Sequence, residues 1–211
     1  MSNEHTLLEI RAISRRLLPD TGAHDFQHAE RVAKLCERIG KTENANLFVL
    51  EIAAYLHDIT RAEEDACKGK ICHAETGAIK TQEILEPFSI LNEHKQNIIH
   101  CIRTHRFRDG NRPETIEAKI LYDSDKLDVL GAVGVARCYW FSGERKAHLH
   151  CPLKDVDGYS KYHTAYREYA VKISKLKDKL FTREAQKIAK GRHKFMESFF
   201  MRFLEELEGN L

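Results

Sequence analysis

Several things are scarce in this chain, and each scarcity narrows the reading. No apolar run approaches a membrane span: the most hydrophobic stretch, Leu47 to Leu56, is broken by Glu51. No two of the six cysteines (Cys36, Cys67, Cys72, Cys101, Cys138, Cys151) form a C-x-x-C pair. That argues against a zinc ribbon and against a small disulfide-stapled scaffold. The first residues, MSNEHTLLEIRAISRR, lack an apolar signal-peptide centre, so the cytoplasm is the expected compartment and the thiols are expected to be reduced. With 4 prolines and 11 glycines, few of them inside apolar runs, the chain reads as long helices rather than a β-sandwich. Neither sign of charge dominates: 34 Lys and Arg face 32 Asp and Glu, for a net +2. A dedicated nucleic-acid binder is therefore not expected, although residues 159–211 carry +5 and the remainder −3. At 42% hydrophobic residues over 211 positions, a disordered chain is not expected, and one domain can bury a full core.

Histidine is what the chain has in excess, with 12, and their placement carries the argument. Helical periodicity runs over 6–18, stopped by Pro19 and Gly22. Asp25 reads as the N-cap of a helix to about Ile39, ended by Gly40. An apolar helix follows at 44–58, then a polar loop from Arg61 to Lys70. Further helices are expected at about 74–86, 92–104, 114–130, 135–141, 159–180 and 182–208, with Gly131 and Gly134 allowing a bend or close packing. The expected fold is all-α with about nine helices, as one domain over 1–211. Its metal core spans about 20–140, with the helices of 159–208 packed on it. The stripe Phe195, Phe199, Phe200 and Phe203 reads as core or a dimer face.

Four residues stand out: His28 in the first turn after Asp25, the pair His57-Asp58 closing the apolar helix, and Asp125 in a later helix. An ionised pair at the end of so apolar a helix is costly unless it meets a cation or a partner. Two imidazoles and two carboxylates suit a six-coordinate divalent ion, and mixed nitrogen and oxygen donors favour Mn, Fe, Co or Ni. Any one of the four alone is more simply a cap or a satisfied histidine. Cys67, Cys72 and His73 lie close in sequence, but no second ligand pair follows, so they read as a loop and a helix start.

His24-Asp25-Phe26-Gln27-His28-Ala29-Glu30-Arg31-Val32, Ala53-Ala54-Tyr55-Leu56-His57-Asp58-Ile59 and Asp123-Ser124-Asp125-Lys126-Leu127-Asp128-Val129-Leu130-Gly131-Ala132-Val133-Gly134-Val135-Ala136-Arg137 appear in that order. This sequence resembles the HD-domain metal-dependent phosphohydrolases, in particular a branch of small stand-alone bacterial and archaeal members, over about residues 20–205. The resemblance implies an HD-type helical bundle and one divalent ion (Mn, Mg, Fe, Co or Ni, transition metals favoured) held by His28, His57, Asp58 and Asp125. Asp125 is chosen over Asp123 because it directly precedes Lys126-Leu127.

His73 and His105 are expected to line the pocket, contacting phosphate or protonating a leaving oxygen. Some relatives use comparable histidines for a second metal. Here Asp109-Gly110-Asn111-Arg112-Pro113 echoes their motif only loosely, so a second ion is the weaker expectation. Arg61, Lys126, Arg106 and Arg108 are the candidates for phosphate, and Asp58, His73, His105 and Arg61 for catalysis. The expected activity is hydrolysis of a nucleotide or another small phosphate ester or anhydride through a metal-activated water. The rivals are a cyclic-nucleotide or cyclic-dinucleotide phosphodiesterase, and a non-catalytic nucleotide or metal sensor or nucleic-acid-binding module. No membrane partner is expected, and the oligomeric state is not legible.

Overall fold

Ser2 accepts a hydrogen bond from the His5 N–H and opens the first helix, α1 (Asn3–Leu17). The structure, a computed structural model, describes residues 2–106, 111–156, 158 and 160–211. Among these residues there are α-helices and one 3₁₀ segment, and no strand. The all-α expectation is thus met. The chain forms two units, Met1–Asp125 and Lys126–Leu211.

In the first unit, α2 (Phe26–Glu43) starts where the sequence places it. Asp25 Oδ1 accepts the His28 N–H at 2.8 Å, which fixes His28 in the first turn. Its end differs from expectation. Gly40 lies inside the helix, and Asn44 in the left-handed conformation (φ 55°) ends it. Gly40 is needed for packing instead: a Cβ there would come within 2.7 Å of Leu50 and 2.8 Å of Leu47. α3 (Leu47–Leu56) is capped by the Asn46 side chain, which accepts from the Phe48 and Val49 N–H groups.

Every residue of α3 from Val49 to Leu56 except Glu51 is buried. A helix apolar on nearly all sides can only be a central post, and α1, α2 and α6 pack on it. The polar stretch expected as a loop contains a short helix, α4 (Arg61–Ala66). Then come α5 (His73–Leu85), α6 (Asn92–Thr104) and α7 (Ile116–Asp128), the last containing the unit boundary. Glu117 of α7 accepts from the Asn46 N–H (2.8 Å) and from Asn97 Nδ2 (2.9 Å), tying the start of α3 to α6 and α7.

In the second unit, α8 (Gly131–Glu144) begins at Gly131, earlier than the expected 135. Gly131 has φ +78°, and a Cβ on it would press on Arg192 at 3.1 Å, so bend and close packing coincide there. The expected helix 159–180 is two pieces, α9 (Ala165–Val171) and a 3₁₀ segment (Ile173–Lys179), because the backbone leaves helical geometry at Lys172 (φ −122°, ψ −57°). In α10 (Arg183–Leu207), Phe200 is buried and stacks on Tyr169 with ring centres 4.4 Å apart, while Phe195 is 49% exposed. The stripe is core at Phe200 and open at Phe195.

Glu168 of α9 accepts from His163 Nε2 and from Lys172 Nζ, each at 2.7 Å. Burial alone would raise its carboxyl. These partners outweigh burial and hold it down to about 2, from an ordinary 4.5. A carboxylate held low contributes stability that is complete above about pH 4.5 and lost as pH falls toward 2. The difference corresponds to about 3 kcal/mol. Glu168→Gln is therefore expected to lower the thermal midpoint at pH 7 and to flatten the acid limb. Melting curves from pH 7 down to pH 2 check this, with the two proteins converging at the acid end. Parallel curves would show that Glu168 does not carry the linkage.

Candidate metal centre

The buried post α3 ends at Leu56, and the next two residues, His57 and Asp58, are themselves buried. His28 reaches them from the first turn of α2, Asp125 from α7, His73 from the start of α5 and His105 from the end of α6. His57 Nε2 lies 3.2 Å from His28 Nε2. Asp58 Oδ2 lies 3.6 Å from each of these nitrogens, and His28 Nε2 is 3.5 Å from Asp125 Oδ1. The other Asp58 oxygen, Oδ1, faces the opposite pair: His73 Nε2 at 3.0 Å and His105 Nε2 at 3.6 Å. Those two nitrogens are 3.1 Å apart. Two donor groups result, His28–His57–Asp125 and Asp58–His73–His105, and the Asp58 carboxylate presents an oxygen to each.

The tautomers test whether these residues suit a cation. His57 Nδ1–H donates to the Ala54 carbonyl at 2.7 Å, and His105 Nδ1–H donates to the Ile102 carbonyl at 2.6 Å. His73 Nδ1–H donates to Glu64 Oε2 at 2.5 Å. With Nδ1 as the donor, a neutral ring has a bare lone pair at Nε2. His73 and His105 therefore point lone pairs at each other across 3.1 Å, an arrangement that needs a proton or a cation between them. Metal–ligand bonds of about 2.1 Å at right angles put neighbouring donors about 3 Å apart. The spacings of 3.0–3.6 Å match this, and the mixed donor set fits a divalent transition metal.

The electrostatics agree. Burial pushes His57 below its ordinary value and takes His105 down to about 4, so both rings stay neutral near pH 7. For Asp58, burial would raise the carboxyl, but protons on His57, His73 and His105 outweigh it and hold it well below the usual range, a role that falls to a cation when those rings are neutral.

Arg61 sets its Nη1 3.4 Å from His73 Nδ1 and pairs with Asp65 through Nε and Nη2. Arg106 sets its Nη1 3.3 Å from the same nitrogen. Two of the four candidate phosphate cations thus stand beside His73. Lys126 is half-buried on α7 and is the first residue of the second unit. Arg108, also a candidate, lies outside the described residues, as do Asp109 and Gly110.

Glu64 was not singled out from the sequence. It is buried at 5% exposure on α4 and bonded to His73 and Arg106. Among Glu63, Glu64 and Asp65, nothing in the sequence marks the middle acid.

Known proteins share this arrangement of chain. The model of the HD domain matches residues 25–130, which contain all six donor residues. The chain belongs to the HD-domain family. YpgQ of Bacillus subtilis is similar in sequence, 31% identical over 95% of this chain and 93% of its own length. The crystal structure of YpgQ in complex with ADP superposes with a TM-score of 0.76 at 31% identity, covering 98% of this chain and 96% of that one. An HD-superfamily hydrolase from Bacillus thuringiensis gives 0.75 at 26% identity, covering 98% and 99%. The fold is that of the small HD-superfamily hydrolases. HD domains bind divalent metals, and the His/Asp cluster can hold one. No helix among the described residues is long and apolar enough to cross a membrane.

Proposed function

We propose that this chain is a divalent-metal-dependent phosphohydrolase acting on a nucleotide or another small phosphate ester or anhydride. The reading is carried by the placement of Asp58, whose oxygens each face a pair of imidazole nitrogens within 3.6 Å. The complex of YpgQ with ADP supports a nucleotide as substrate. His28, His57, Asp58 and Asp125 would hold the cation. When bound, such a cation acidifies a water and polarises a phosphoryl oxygen. The chain's own groups do the rest. Asp58 is ionised and steers the water through the oxygen it keeps toward His73 and His105. His105, neutral because burial lowers it to about 4, accepts or returns a proton at Nε2. Arg61 and Arg106 supply positive charge for phosphate oxygens, with Lys126 and Arg108 as further candidates. Six free thiols accord with a reducing cytoplasm.

A second reading is favoured by the 3.1 Å approach of His73 Nε2 to His105 Nε2. In that reading Asp58, His73 and His105 would hold a second cation, which would favour a cyclic-nucleotide or cyclic-dinucleotide phosphodiesterase. A non-catalytic nucleotide or metal sensor is the remaining alternative. A phosphate-release screen over linear and cyclic nucleotides with Mn²⁺, Mg²⁺, Co²⁺ and Ni²⁺ decides among them, alongside counting bound ions. Release from a linear nucleotide with a transition metal is expected. Tight nucleotide binding with no hydrolysis of any compound would sink the enzymatic reading.

A further inference from the structure

Glu64 places three hydrogen bonds on one oxygen. Its Oε2 accepts the His73 backbone N–H at 2.9 Å, the His73 ring Nδ1–H at 2.5 Å and the Arg106 Nη1–H at 2.6 Å. The first bond caps α5, whose preceding residue Cys72 offers no side-chain cap. The second fixes the ring of the same residue. Backbone and ring of His73 are thus held by a single atom, and the imidazole cannot swing without breaking one bond or both. The neighbouring acids do other work: exposed Glu63 reaches Lys80, and Asp65 pairs with Arg61. Arg106 completes the arrangement, since a buried carboxylate stays ionised when a cation meets it.

We propose that Glu64, locked by Arg106, is the positioning residue that presents His73 Nε2 to Asp58 Oδ1 and His105. The inference rests on the reading that His73 serves the metal site. A carboxylate bonded to the outer nitrogen of an imidazole sets its tautomer and its direction, and loss of such a partner typically costs about 10–100-fold in metal affinity or activity. Glu64→Gln keeps the shape and removes the charge. The amide oxygen of Gln can still accept from Arg106 Nη1, so the loss should appear in turnover, through His73, rather than in KM.

The experiment has two arms. The first is proton NMR of the wild-type protein loaded with diamagnetic Zn²⁺. The His73 Nδ1 proton should appear far downfield and protected from exchange, be absent in His73→Gln, and move or vanish in Glu64→Gln. The second is a double-mutant cycle on Mn²⁺-dependent phosphate release from ATP. Glu64→Gln should lower kcat about 10–100-fold in the wild type and have no further effect in a His73→Ala background. An equal drop in both backgrounds, or a wild-type His73 with no protected Nδ1 proton, would overturn the proposal. If Glu64→Gln does not fold, or His73→Ala is too slow to read, the wild-type proton signal decides. If neither ATP nor any compound of the phosphate-release screen is hydrolysed, the functional reading fails, and the same signal still judges the positioning of His73.

Discussion

Asp58→Ala is expected to lose its bound cation and to release phosphate more than about 10³-fold more slowly, a loss larger than that from removing a single stabilising donor. Asp58 is the negative charge between four imidazole nitrogens, at 3.0–3.6 Å from each. Its removal takes away a ligand and the charge that makes the imidazole cluster tolerable. His105→Ala and Arg61→Ala each remove one proton-transfer or electrostatic contribution and are expected to cost about 10²–10³-fold at most. Metal analysis of purified Asp58→Ala, together with its metal-dependent rate on the best nucleotide, checks this. Full occupancy and near wild-type turnover in Asp58→Ala, with His105→Ala inactive, would place the chemistry elsewhere.

Chelation should lower thermal stability sharply. A ligand present at 1,000 times its dissociation constant stabilises by about 4 kcal/mol, and for a chain of this size that is about 8–16 °C in Tm. Differential scanning of the metal-loaded and EDTA-treated protein measures it, and Asp58→Ala should not respond to EDTA. The stripped protein should also be acid-sensitive. His57 and His105 have folded values lowered by burial, His105 to about 4. Their neutral forms contribute stability that is complete above about pH 6.5 and lost as pH falls toward 4. Metal loading weakens over the same range, because protonated imidazole cannot ligate. A Tm indifferent to EDTA at pH 7 would argue against a resident cation.

Some of this was legible in the sequence for local reasons. Asp25 three residues before His28 is a cap, and a cap fixes which residue sits in the first turn. The run from Leu47 to Leu56 is apolar enough to be central, so whatever follows it lies deep. His57-Asp58 and Asp125 were readable on that basis and from their flanks. Gly40 differs from its sequence expectation because a helix-ending glycine and a helix-packing glycine look alike until α3 is placed against it. Lys172 interrupts a periodic stretch with no proline or glycine to announce it. Glu64 was illegible for another reason. Its partners are 9 and 42 residues away, and no period or spacing connects them. That Asp58 would turn one oxygen to each histidine pair was likewise a matter of where helix ends meet.

The donor residues are scattered from His28 to Asp125, nearly a hundred positions along the chain, and this bears on how the protein assembles. A cation gripping them would act as a reversible cross-link. In the chain-entropy view, closing a loop of about 100 residues is worth close to 5 kcal/mol when the link is covalent. Such a link cannot form early, since its first and last ligands meet only after the intervening helices have docked, and pairings so distant in sequence are slow to reach. Newly made chains would therefore fold first and load afterwards. A cell short of the metal would accumulate complete but loosened molecules rather than unfolded ones.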